Sequence, residues 1–193
     1  MFLGLKKKIQ KSKVSSAPFP YLAMDNFLPK KNLKSLNKIL PSYDELQGEG
    51  LLFQSSSQTK KSIFPSSKQF KKLNKKKSFK ELNLIFKRLQ PILVKKFAKY
   101  IDNHTTVNSK KVKLNYHFSY SVMRKGYLKS SHIDRRDHLI HGILYPYSDH
   151  HNGGDILINE LKKKKNNFDV FPKKKDMRIN KKFKVRNNFC IFI

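Results

Sequence analysis

The chain has a single cysteine, Cys190, in 193 residues. A lone thiol excludes an intrachain disulfide framework and a thiolate zinc cluster, and it suits a reducing compartment. No apolar run approaches the ~18 residues that a membrane span requires. The opening segment "MFLGLKKKIQKSK" sets its few apolar residues before its lysines, the reverse of a secretory signal. Glycine stands at position 4 rather than 2, which removes a myristoylation signal. Acid is scarce as well: 13 Asp and Glu face 43 Lys and Arg, a formal net charge of +30. These absences point to a soluble, cytoplasmic protein with no membrane partner.

The charge excess is the first feature that is present, and it attracts polyanions. Lysine greatly outnumbers arginine, however, and is spread over nearly the whole chain. Arginine reads base edges through bidentate hydrogen bonds, so a lysine excess implies nonspecific phosphate attraction at most. Lys, Asn, Ile and Phe also share A/T-rich codons, and base composition accounts for part of the charge. The runs "KKLNKKKSFK" and "LKKKKNNFDVFPKKKD" interleave lysine with Phe, a pattern that can grip phosphates and stack bases, although such runs are more often solvated loops. A basic nucleic-acid-binding protein without catalysis is one reading of this chain.

Periodicity divides the chain into a flexible basic tail over 1–16 and a single domain over 17–193. Within that domain, 17–105 reads as helices with a long loop and 106–193 as strands. Leu33, Leu36, Ile39 and Leu40 recur at helical spacing, with Pro29 in the first turn, Asp25 or Asn26 as a cap and Pro41 as the stop. Residues 42–77 are rich in Ser and Lys with few apolar anchors, and read as a loop. A second helix starts at Ser78, which forms a capping box with Glu81. Leu82, Ile85, Phe86, Leu89, Leu93 and Phe97 line its apolar face, and Pro91 should kink it.

The period then changes to two. Val112, Leu114, Tyr116, Phe118, Tyr120 and Val122 alternate with polar residues, the pattern of a half-buried strand. Further short strands follow near His132 and at "LIHGILY", "DILIN" and "NFCIFI". Helices followed by short strands predict an α+β domain built on an antiparallel sheet or barrel.

Five of the seven histidines fall in "SHIDRRDHLIHGILYPYSDHHNGGDILI", residues 131–158. His132 and Asp134 are two apart, so on a strand they project from one face. An imidazole and a carboxylate are two of the three donors of the 2-His-1-carboxylate facial triad, which leaves open positions on Fe(II). An H-x-D pair alone is a weak signal. His138 and His141 lie three apart and point to opposite faces of a strand, and His150 and His151 sit in a turn. These four read as surface or satisfied imidazoles.

The context of the pair strengthens it. "YSVMRKGYLKSSHID" is a strand, a Gly turn and the pair; an apolar strand ending in Leu144-Tyr145 follows, then Gly153-Gly154 opening another strand. This series resembles the iron- and 2-oxoglutarate-dependent oxygenases of the prolyl-4-hydroxylase-like branch. "FPYLAMDNFLPKKNLKSL" is similar to the segment and first helix that precede the barrel there. The resemblance runs from about residue 18 to the end and is specific over about 116–158.

The resemblance implies a double-stranded β-helix, jelly-roll-like, with N-terminal helices supporting one sheet and the metal between two facing sheets. It implies His132 and Asp134 as ligands of Fe(II), with 2-oxoglutarate as cofactor and O2 as co-substrate. The outcome would be succinate, CO2 and a hydroxylated C–H bond of a protein or small-molecule substrate. Tyr120 and Tyr145 are its candidates for holding 2-oxoglutarate. A cupin-type structural barrel with a degenerate H-x-D is a third reading.

The pattern breaks at the end of the chain. The family's distal His and the basic residue beyond it follow an apolar strand, and here "RNNFCIFI" is the last segment, with no histidine after His151. A terminal strand this apolar, with no partner to close its edge, points to a truncated chain with an incomplete core and impaired turnover.

Overall fold

The longest element is a helix of 28 residues, α4 (Lys77–His104), and the rest of the core is organised on it. The computed structural model describes residues 1–46, 59–104, 115–124, 126–127, 138–147, 155–162 and 173–193. In chain order the other elements are α1 (Phe2–Lys11), β1 (Leu22–Met24), α2 (Lys30–Asn37), β2 (Lys60–Ile63), α3 (Lys68–Asn74), β3 (Tyr120–Met123), β4 (Gly142–Tyr145), β5 (Ile156–Leu161), β6 (Met177–Phe183) and β7 (Phe189–Phe192). The chain is thus α+β with antiparallel sheets.

Helix α4 buries Leu82, Ile85, Leu89, Leu93 and Phe97, the apolar face that its sequence predicts, together with Phe79, Val94 and Ile101. Pro91 does not end it. Both Pro91 and Lys87, whose carbonyl loses a partner there, are exposed, so water can take the freed acceptor. The helix starts at Lys77 and Ser78 lies within it. The serine cap that is made belongs to α3, where the Ser67 hydroxyl accepts from Phe70 N at 3.1 Å.

Two stretches carry more structure than their composition predicts. Residues 2–11, expected to be a flexible tail, form α1, which seats Leu5 and Ile9 in the core. Lysines hide the sparse apolar stripe that makes this helix amphipathic. The expected loop of 42–77 contains β2 and α3, with Ile63, Phe70 and Leu73 buried. Near α2, neither Asp25 nor Asn26 is the cap; Pro29 holds that position, and the Asp25 carboxylate pairs with Arg186 instead.

The three-stranded sheet has the order β1-β7-β4, and its side chains alternate between two cores. Leu22, Met24, Leu144, Cys190 and Phe192 face the helices. Tyr21, Ala23, Ile143, Tyr145, Phe189 and Ile191 face the other way, where Ile156 and Ile158 of β5 and Phe183 of β6 cover them. The antiparallel β2–β3 pair also packs on the helical side through Ile63, Tyr120 and Val122. The result is a helical layer, a sheet, and a second strand pair facing that sheet. Among the described residues these sheets do not close into a barrel.

β7 corrects the expectation of an open terminal edge. It is the central strand, paired antiparallel with β1 on one side and β4 on the other, and all four of its residues are buried. An unbroken apolar run is what a strand covered on both faces requires. The partners that close its edges come from far upstream, which is why they are invisible next to it in the sequence.

Candidate functional site

The alternation that marks the approach to the histidine cluster starts ahead of β3 and runs into it. Tyr116, Phe118, Tyr120 and Val122 are half-buried while Asn115, His117 and Ser119 are exposed; Val112 and Leu114 lie outside the described residues. After β3, Arg124 N donates to Thr59 O at 2.8 Å, and Gly126, at φ +88°, turns the chain into Tyr127. From His138 the chain enters the sheet at His141, whose N–H and carbonyl exchange bonds of 2.8 and 2.9 Å with Ile193. His132 and Asp134 fall between these anchors and, like His150 and His151, lie outside the described residues. His138 and His141 are both exposed.

The two candidate tyrosines occupy different cores. Tyr120 packs on the helical side, 6.4 Å from the Phe79 ring, and donates its hydroxyl to Pro41 O at 2.8 Å. Burial, with Glu45 nearby, pushes its pKa up to about 12. Tyr145 lies on the opposite face of the three-stranded sheet, 6.4 Å from Phe189. Burial, with Tyr127 as neighbour, pushes its pKa up to about 12 as well. Both are neutral donors at pH 7, but the structure does not bring them together.

Tyr127 is the residue that sequence reading missed. Its hydroxyl oxygen is buried and has no hydrogen-bond partner among the described residues, and burial raises its pKa. It lies close enough to Tyr145 to perturb that group electrostatically. Only its position directly after the Gly126 turn singles it out in the sequence. Tyr127 is an orphaned phenol within electrostatic reach of a second buried phenol.

Four described carboxylates elsewhere are held in ion pairs. Asp25 pairs with Arg186, Asp44 with Arg124, Asp155 with Lys182 at 2.7 Å and Glu160 with Arg178 at 3.2 Å. Among the described residues no group of three or more His, Cys, Asp or Glu side chains could hold a metal ion. No helix among them is long and apolar enough to cross a membrane. Comparison with protein-family models, with curated proteins and with solved structures finds no match to this chain.

Proposed function

We propose that this chain carries the core of an iron(II)- and 2-oxoglutarate-dependent oxygenase, with His132 and Asp134 as two metal ligands. What supports the reading is the order of elements. β1 runs into α2; β3 precedes the H-x-D pair; β4 follows it and ends in Leu144-Tyr145; Gly153-Gly154 then precedes β5. The layering is compatible with it too, since helices back one face of the three-stranded sheet and a strand pair faces the other. In this reading the facing strands are part of a double-stranded β-helix.

The donor chemistry fits in part. A neutral imidazole and a carboxylate suit Fe(II) and leave positions for a bidentate keto acid. Tyr127 and Tyr145 would donate to a carboxylate of 2-oxoglutarate, and the Tyr127 hydroxyl has no hydrogen-bond partner among the described residues. When bound, the metal and cofactor would supply the oxidising power for hydroxylation of a C–H bond in a protein or small-molecule substrate. The chain's share is to hold two ligands, orient the cofactor and exclude water. No histidine follows His151 in these 193 residues, so the third protein donor of the triad is missing and turnover by this chain should be impaired.

Anaerobic Fe(II) titration, with and without 2-oxoglutarate, tests the assignment on the purified chain. The wild type should bind iron more tightly when 2-oxoglutarate is present, and His132→Ala and Asp134→Ala should each weaken binding. Equal affinities in all three proteins would sink the reading. Separately, rapid succinate formation by the 193-residue chain would refute the impairment.

A further inference from the structure

The surface of α3 has a property that the oxygenase reading does not use. From Thr59 to Lys80 the sequence contains no Asp or Glu, while lysine recurs throughout. At about 100° per residue, Lys68, Lys71, Lys72 and Lys75 fall within an arc of about 100° on α3. That arc lies opposite Phe70 and Leu73, which are buried at 3% and 7% exposure. All four lysines are exposed, and none makes an ion pair or hydrogen bond with a side chain among the described residues. Among the described residues the ammonium groups therefore form one stripe without side-chain partners, about 10 Å long, the run of about four stacked phosphates.

The stripe is held rigidly. Ser67 caps the helix, and the Phe70 ring meets Phe79 of α4 edge-on at 5.4 Å. One turn before α3, Phe64 O accepts from Ser67 N, and the partly exposed Phe64 ring lies 5.8 Å from the ring of exposed His117. An aromatic pair next to a row of cations supplies the two things that single-stranded nucleic acid needs, a π face for bases and charges for phosphates. A lipid surface would use the cations alone.

We propose that α3 is a docking surface for single-stranded nucleic acid, with Lys68, Lys71, Lys72 and Lys75 on the phosphates and Phe64 with His117 stacking a base. Recognition is of backbone and π face, without base-edge reading, because no arginine belongs to the stripe.

Fluorescence anisotropy of a labelled oligouridylate of about 12 nucleotides against the full chain, from about 50 to about 200 mM salt, tests this. Replacing the four α3 lysines by Gln should flatten the log–log salt slope by about 3 and weaken binding at least about tenfold. The matched control, Gln at the exposed Lys30, Lys31, Lys34 and Lys38 of α2, removes the same charge and should change little. The double variant Phe64→Ala/His117→Ala should weaken binding without changing the slope. Equal losses from the α2 and α3 variants would mean diffuse attraction and overturn the proposal. So would competition by vesicles of equal phosphatidylserine and phosphatidylcholine that matches unlabelled oligouridylate, or no detectable binding by the wild type. Thermal melts of each variant keep loss of folding separate from loss of binding.

Discussion

Asn188 closes a two-bond ring with the backbone of Leu28: its side-chain oxygen accepts from Leu28 N and its side-chain nitrogen donates to Leu28 O, both at 2.7 Å. Its own N–H donates to Tyr145 O at 2.7 Å, and its carbonyl accepts from Phe27 N at 2.9 Å. One buried amide thus joins the β1–α2 connection, the end of β4 and the start of β7 across 160 positions of sequence. Its φ of +62° is tolerated by Asn better than by most residues.

Asn188→Ala leaves two buried backbone groups unpaired and adds left-handed strain, a loss of about 3 kcal/mol or more. Asn188→Gly removes only the strain and should recover about 1 kcal/mol of it. Urea melts of both variants check the pair. A cost below about 1 kcal/mol for Ala would show that the ring is not important.

Gly142 faces Phe192 across the β4–β7 ladder, and a Cβ there would meet two ring carbons at 2.9 Å. Phe192 is itself packed near Phe27 and Phe86, with ring centroids at 6.0 and 6.3 Å, and is 1% exposed. The ring has little room to retreat. Gly142→Ala should destabilise the chain by about 1–3 kcal/mol in the same melts.

Cys190 is fully buried in the central strand, and burial raises its pKa well above the usual thiol range. It should resist iodoacetamide in the native protein and react readily in denaturant. Alkylation at a rate close to that of a free thiol in native buffer would contradict the assignment of β7 as a closed central strand.

The Asp25–Arg186 pair predicts a small dependence on acid pH. The Arg186 hydrogen bond holds the Asp25 carboxyl below its usual value, with Lys8 adding to the effect. A depressed folded pKa stabilises the native state above the unfolded value near about 4, and that contribution is lost as pH falls through the folded value. Both side chains are about half-exposed, at 49% and 47%, so solvent screening limits the effect to about 1 kcal/mol at most. Asp25→Asn should be less stable than wild type at pH 7 and indistinguishable from it at pH 2.

Tyr127→Phe separates ligand binding from folding. Removing a buried hydroxyl that has no partner among the described residues should leave thermal stability unchanged or slightly raised. The same change should weaken 2-oxoglutarate binding to the iron-loaded chain. A clear drop in melting temperature would mean that the hydroxyl already has a structural partner.

How much of this was legible beforehand depended on whether the signal was local. The period-3.6 face of α4 and the period-2 alternation through Tyr116, Phe118, Tyr120 and Val122 were readable because each is written in near-neighbour spacing. Helix α1 was missed because only Phe2, Leu5 and Ile9 mark its inward face among many lysines. Helix α3 was missed because two apolar residues, Phe70 and Leu73, suffice to seat a single short helix. The H-x-D pair lies outside the described residues, and Tyr127 was not legible in the sequence because an orphaned hydroxyl exists only once other elements bury it.

The sequence by itself determined the α+β class, the apolar faces and the presence of a single thiol, since these follow from composition and near-neighbour spacing. Tertiary structure alone decided that β7 is central rather than an edge, that Asp25 seeks Arg186 instead of capping α2, and that Tyr120 and Tyr145 belong to different cores. Strand order and pairing partners are set by burial between distant segments, and no local pattern records which distant segment will arrive.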